Sequence, residues 1–305
     1  MDAFPLMSRL RLVLVRPRFP ENIGMAARAS ANFGHAPLHL VQPERWAKDK
    51  ALPLATSQGA PLLDGLMLHD SLAGAVAPCS LVLATTARTG GWRRQIISPR
   101  RAAAETAERL LDGEEAALVF GPEDRGLSNA DLEHCGRLVT IPTAPGASSL
   151  NLAQAVLLMM YECWLALSGT PALSASQTAR QPDARPAAPL HAAGGRGTLS
   201  RRVTRRERDL LDATLKRSLL DIGFLRPDNP DYFFLPLARF LDRSDLRRHE
   251  LDILMGICRR MGRRRAGAAP AESPDEAAAA WAGSHGNASH SPTGADSAPA
   301  AGQEP

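Results

Sequence analysis

LRLVLVRPRFPENIGMAARASANFG, residues 10–34, decides the fold class. It opens with a short apolar run that stops before Pro17, which reads as a buried strand. Residues 22–33 are alanine-rich and helix-permissive, and Gly34 stands where a helix end favours a left-handed residue. The alternation continues. LHLVQ (38–42), SLVLATT (80–86), AALVFG (116–121) and RLVTIP (137–142) read as strands. PRRAAAETAERLLDG (99–113), SNADLEHC (128–135) and SLNLAQAVLLMMYECWLAL (149–167) read as helices, the second capped by Ser128 or Asn129. This order predicts an α/β domain with a mostly parallel sheet over residues 1–168. The helix at 149–167 is apolar nearly all round, so it is expected to pack against its own sheet and a second subunit.

Beyond that unit, residues 169–199 are rich in Pro, Gly, Ala and Ser and read as a flexible linker. Residues 200–265 recover helical patterning, with Leu210, Leu211, Thr214, Leu215 and Leu219 near one face and Leu246, Leu251, Ile253, Leu254 and Ile257 in a second segment. They predict a small helical module, with Tyr232, Phe233 and Phe234 read as its core in preference to base-stacking platforms. Residues 266–305 hold five acids and no Lys or Arg, and are expected to form a disordered acidic tail.

A chain of 305 residues is long enough for about two domains. No run approaches the ~18 apolar residues of a membrane span, and the start carries no secretory signal. Cys79, Cys135, Cys163 and Cys258 form no CxxC pair, which argues against a zinc site or a disulfide framework and fits a reducing cytoplasm. Residues 1–265 hold 36 basic and 27 acidic residues, a net of +9, which suits a polyanionic partner. Because 33 of the 36 basic residues are Arg in a chain abundant in Ala, Gly and Pro, the arginine count by itself carries little weight.

Four loops follow strands at the sheet end where α/β proteins bind ligands: 16–28, 85–94, 120–128 and 141–151. Neither a GxGxxG turn after a strand nor a GxxxxGK[ST] loop is present, so a dinucleotide fold and a P-loop are unsupported. His35, His39, His69, His134 and His249 show no ligand spacing, and no metal is expected.

Within these loops, ENIGMAARA, FGPEDRGLS and IPT…SSLNLAQA resemble the three motifs of the TrmH-type branch of the SPOUT methyltransferases, across residues 8–168. TTAR (85–88) and the helical module with GFLRPDNP resemble the TrmJ subfamily. The resemblance implies a trefoil-knotted α/β domain, S-adenosylmethionine as cofactor, a homodimer, and ribose 2′-O-methylation of tRNA at position 32 of the anticodon loop. Alternatives on the same fold are methylation of ribosomal RNA or another tRNA site, and a non-catalytic RNA-binding protein.

By resemblance, Asn22 and Arg28 lie at the target nucleotide, Asn151 supports Arg28, and Glu123 matches the family's acidic residue. Thr85, Thr86, Ala87, Gly121, Ile141, Ser148, Ser149 and Leu150 would border the cofactor, largely through backbone groups. A guanidinium stays protonated, so Arg28 is read as an electrostatic clamp rather than a base. The plain alternatives are an ion pair of Arg28 with Glu21 or Glu123, an N-cap role for Ser149, and a solvated Glu123. Arg88 is expected at RNA phosphate or a neighbouring site. Arg201, Arg202, Arg205 and Arg206 are read as phosphate contacts, as are the clusters at 93–94, 100–101, 259–260 and 263–265.

Overall fold

The computed structural model describes residues 3–87, 96–144, 146, 149–169 and 200–265. Arg88, Ser148, the expected linker beyond Gly169 and the acidic tail lie outside the described residues. Seven strands, β1 (Leu10–Val15), β2 (Leu38–Val41), β3 (Met67–His69), β4 (Leu81–Thr85), β5 (Ile96–Ile97), β6 (Ala116–Phe120) and β7 (Arg137–Val139), form one sheet. Every pairing is parallel and the order is β3-β2-β1-β6-β4-β7-β5.

The strands sort their side chains by alternation. Leu10, Leu12 and Leu14 of β1 enter the larger core with Phe120, against helices α2 (Pro20–Asn32), α5 (Pro99–Leu111) and α7 (Leu152–Ser168). Val13 and Val15 enter a second core with Val119 and Val76 on the opposite face, beside α4 (Leu72–Val76). Two-sided burial is why these strands read as continuous apolar runs.

Several elements escape the sequence reading: α1 (Ala3–Met7), α3 (Lys48–Asp64), β3, α4 and β5. Helix α3 contains Pro53 and Pro61 and breaks at Thr56 (φ 61°), so its residues carry no sustained period. Helix α6 (Asn129–Glu133) is capped by Ser128, in a box closed by Asp131. Helix α7 begins at Leu152, with Asn151 and not Ser149 as its N-cap.

Residues 200–265 form α8 (Arg205–Asp221), α9 (Pro230–Arg243) and α10 (Arg248–Arg265). Their core holds Leu211, Leu241 and Leu251, with Leu219, Leu225 and Phe234 at one end. Two expectations are corrected here. Leu210 faces outward because the inward stripe of α8 runs Leu211, Leu215, Leu219, and Ile253 and Ile257 do so because that of α10 runs Leu251, Leu254, Cys258, Met261. Of the three consecutive aromatics only Phe234 is buried, since neighbours on a helix turn by about 100° each. Leu246 is half-buried against the core.

This module sits at the N-terminal ends of β4 and β6. The amides of Arg205 and Arg206 donate to the carbonyls of Cys79 (2.8 Å) and Ala77 (3.1 Å). Arg202, 5% exposed, is ringed by Glu108, Asp112, Glu114 and Asp245. Buried Arg109 pairs with the same Asp245 at 2.5 Å. All four cysteines are buried and none forms a disulfide.

Candidate active site

β1, β6, β4 and β7 are consecutive neighbours in the sheet, so the loops leaving their C-terminal ends emerge side by side. Three of those loops, joined by the start of α7, enclose a cavity of about 330 Å³, within the size range of small-molecule sites. Thr85, Thr86, Ala87, Gly121, Glu123, Ile141, Ser149 and Leu150, all singled out from the sequence, line it. The walls are tied to the sheet. The Thr86 amide donates to the Val139 carbonyl at 2.9 Å. The Thr140 hydroxyl donates to the Thr86 carbonyl, and the Thr85 hydroxyl to that of Val119, both at 3.1 Å.

Behind the cavity a hydrogen-bond chain joins the loops. The Asn22 side-chain amide donates to Glu123 Oε1 at 2.7 Å, and the Arg18 backbone amide donates to Glu123 Oε2 at 3.1 Å. Asn151 Nδ2 donates to Asn22 Oδ1 at 3.0 Å, while Asn151 Oδ1 accepts from the Ala153 amide at 2.8 Å. Both oxygens of Glu123 are therefore occupied, and Asn22 is held at both ends of its amide. Asn22 is buried, although it is polar and sits in the first turn of α2. Burial of such a group is stable only when it is fully bonded, as it is here.

Arg28 stands apart. It is exposed on α2 and does not line the cavity of its own chain. Six residues separate it from Asn22, a rotation of about 240° that sends the two side chains to different sides of the helix. Neither the expected support from Asn151 nor the alternative pairing with Glu21 or Glu123 is present, because Asn151 and Glu123 are bonded to Asn22 instead.

Two positions were missed. Arg16, directly after β1, takes a left-handed conformation (φ 47°), and its guanidinium forms a two-pronged pair with Asp131. Asp131 Oδ2 also accepts from the Ser128 amide at 2.8 Å. Burial acts to raise the Asp131 carboxyl, but the bonds from Arg16 and Ser128 outweigh it and hold the group below the usual range. The pair clamps the loop after β1 to the loop after β6. Its one sequence signal was the S-x-x-D spacing of the capping box. Arg18 adds a second tie, donating to Asp124 at 3.0 Å.

The SpoU rRNA Methylase family matches residues 9–161. The chain belongs to the SpoU methylase family. A second family model, the C-terminal domain of the tRNA methyltransferase TrmJ, matches residues 209–271 and places this SpoU methylase in the TrmJ group. The tRNA (cytidine/uridine/adenosine-2'-O-)-methyltransferase TrmJ of Pseudomonas aeruginosa is 38% identical over 255 residues, 83% of this chain and 93% of that one. The tRNA (cytidine/uridine-2'-O-)-methyltransferase TrmJ of Pectobacterium atrosepticum is 31% identical over 252 residues, covering 83% and 96%. Among solved structures, TrmJ from Z. mobilis superposes with a TM-score of 0.64 at 28% identity, over 83% of this chain and 98% of that one.

The basic residues read as RNA contacts divide in this SpoU methylase. Arg201 makes two bonds to Glu207 (2.8 and 2.5 Å) and Arg205 pairs with Asp209 at 2.6 Å. Arg202 is buried at the module seam. Phosphate contact does not fit the buried Arg202; Arg201 and Arg205 are held in ion pairs, and Arg201 and Arg206 are exposed. No group of three or more metal-ligating side chains occurs among the described residues. No helix among them is long and apolar enough to cross a membrane.

Proposed function

We propose that this chain is an S-adenosylmethionine-dependent tRNA ribose 2′-O-methyltransferase acting on pyrimidine 32 of the anticodon loop, as a cytoplasmic homodimer with a trefoil-knotted catalytic domain. The observation that carries the reading is the convergence of Thr85–Ala87, Gly121–Leu127, and Ile141 with Ser149 and Leu150 on one cavity, in a chain whose relatives are named for this reaction. The cavity fits the cofactor in size; Ala87, Gly121, Ile141 and Leu150 suit an adenine edge read by backbone groups, while Glu123, Asp124 and Arg125 line the cavity with charge. When bound, the cofactor supplies a methyl group on a sulfonium sulfur.

This chain's residues then position and polarise. Glu123 fixes the Asn22 amide, and Asn151 fixes its other end while capping α7. Glu123 is read as a positioning residue, since its two oxygens accept from the Arg18 amide and the Asn22 side chain and so hold the two loops together. Arg28, outside the cavity, is placed at the RNA, where its permanent charge stabilises a phosphate or the developing alkoxide while the hydroxyl proton leaves to water. Orientation of this kind supplies several kcal/mol of a displacement barrier, up to about 7–11. The dimer reading is supported by the exposed apolar stripe Leu157, Leu158, Tyr161 and Leu165 on α7. Arg206 and Arg88 are kept as RNA contacts.

The test is a 2′-O-methylation map of tRNA from a deletion strain against its parent. Loss of the mark at position 32 alone supports the proposal, and an unchanged tRNA map with a lost ribosomal mark supports the ribosomal alternative. Because the Pseudomonas relative's name includes adenosine, C, U and A at that position should each be assayed.

A further inference from the structure

Helix α8 begins at the seam with the α/β unit and runs 17 residues, so it carries its far end roughly 25 Å away. At that end the chain turns at Gly223, and the turn is held by bonds from the Phe224 and Leu225 amides to the Leu219 carbonyl (2.9 and 3.2 Å). Leu225 is thereby driven into the core at 4% exposure, while Phe224 is presented at 70%. The guanidinium of Arg226 lies 6.0 Å from the ring centre of Phe233. Tyr232 meets Phe233 edge-on at 5.5 Å, and both rings are exposed. Met261 packs beside Leu219, Leu225 and Phe234, which brings the exposed Arg259 and Arg260 to the same end.

The charge is unevenly spent. Residues 200–265 hold 17 basic and 10 acidic residues. Glu207, Asp209, Asp242 and Asp245 are consumed in ion pairs toward the seam. Among the described residues Arg226, Arg259 and Arg260 form no ion pair; this end also carries the exposed Asp221 and Asp228, so the positive surplus around the rings is modest. Asp231 there is matched by Lys216.

We propose that Phe224, Arg226, Tyr232 and Phe233, flanked by Arg259 and Arg260, form a stacking platform for unpaired bases of the RNA substrate, at a place remote from the methyl-transfer cavity. Rings and guanidinium planes stack on any base, and the unpaired cations meet the phosphates between them. The module sits at the N-terminal ends of the strands and the cavity at their C-terminal ends. The platform therefore grips nucleotides other than the one its own chain methylates. The inference rests on the proposed RNA substrate.

The test uses the full chain with Phe224→Ala, Arg226→Ala and Tyr232→Ala/Phe233→Ala. The probes are an unmodified tRNA transcript, a hairpin with an unpaired loop, and a blunt duplex of equal length. Phe224→Ala should weaken binding to tRNA and hairpin by about tenfold, raise KM for tRNA, and leave duplex binding, kcat and cofactor affinity unchanged. Arg226→Ala should also lower the salt dependence of binding, by about one unit of slope. Wild-type affinity for tRNA in both aromatic variants overturns the platform. So does a change in oligomeric mass with RNA affinity intact, which marks the rings as a protein contact. If the wild-type chain binds neither tRNA nor hairpin, the RNA substrate itself fails.

Discussion

Gly121→Ala places one methyl group where the fold has no room for it. A Cβ at Gly121 would stand 2.3 Å from the Leu127 nitrogen and 2.5 Å from the Gly126 carbonyl carbon. Ordinary contact begins near 3.4 Å, so the returning strand of the loop must retreat by about 1 Å. The opposing atoms are backbone, and that backbone is pinned by the Gly126 amide bond to Pro122 (2.9 Å) and the Arg18–Asp124 pair. Overpacking of this kind costs about 1–3 kcal/mol, which lowers a binding constant about 5- to 150-fold. Titration calorimetry with S-adenosylmethionine should show the affinity of Gly121→Ala reduced by a factor in that range, with the sheet intact by circular dichroism. Gly126→Ala is the control. Its Cβ meets nothing within 4 Å, so it bears only the strain of φ +65°, about 1 kcal/mol, and adds no bulk to the loop. Wild-type cofactor affinity in Gly121→Ala would refute the assignment of this loop to the cofactor.

Arg28→Ala should abolish turnover and leave cofactor affinity nearly intact; a matching loss of affinity by calorimetry would make Arg28 structural. Asp131→Asn should weaken the Arg16 pair that clamps two loops, lowering both kcat and cofactor affinity several-fold while RNA affinity by filter binding stays unchanged. Arg202→Met leaves carboxylates at the seam without their common partner. The cost should be about 2–3 kcal/mol, below that of breaking a fully buried pair because Glu108 and Asp245 are partly in water, and it is read as a lower midpoint in urea denaturation of the full chain. Burial, reinforced by the nearby Arg11 and His69, lowers the His39 pKa from 6.5 to about 3. The unfolded chain then binds the extra proton, so stability falls as pH drops from about 6.5 toward 3, by up to about 1.4 kcal/mol per unit. His39→Leu should flatten that limb of a urea-denaturation series.

The sheet's central strands were legible because two-sided burial makes β1, β4 and β6 continuous apolar runs. The edge strands were not: Met67–His69 and Ile96–Ile97 are too short to show a period. The cavity was legible through its motifs, which named Thr85, Gly121, Ile141 and Leu150 before any contact was known. The Glu123–Asn22–Asn151 chain was not, since it joins residues about a hundred positions apart. Basic runs misled for the same reason. RRVTRR looks like a phosphate-binding stripe in one dimension, but folding brings Glu108, Asp112, Glu114 and Asp245 to Arg202. Three adjacent aromatics likewise looked like core, although a helix can bury only one of Tyr232, Phe233 and Phe234 on a narrow face.

The central claim is chemical, that one methyl group goes to one ribose oxygen. Purified chain incubated with methyl-labelled S-adenosylmethionine should label a tRNA transcript, and a transcript with a 2′-deoxy sugar at position 32 should stay unlabelled. Equal labelling of the deoxy transcript, or no labelling of either, would contradict the account.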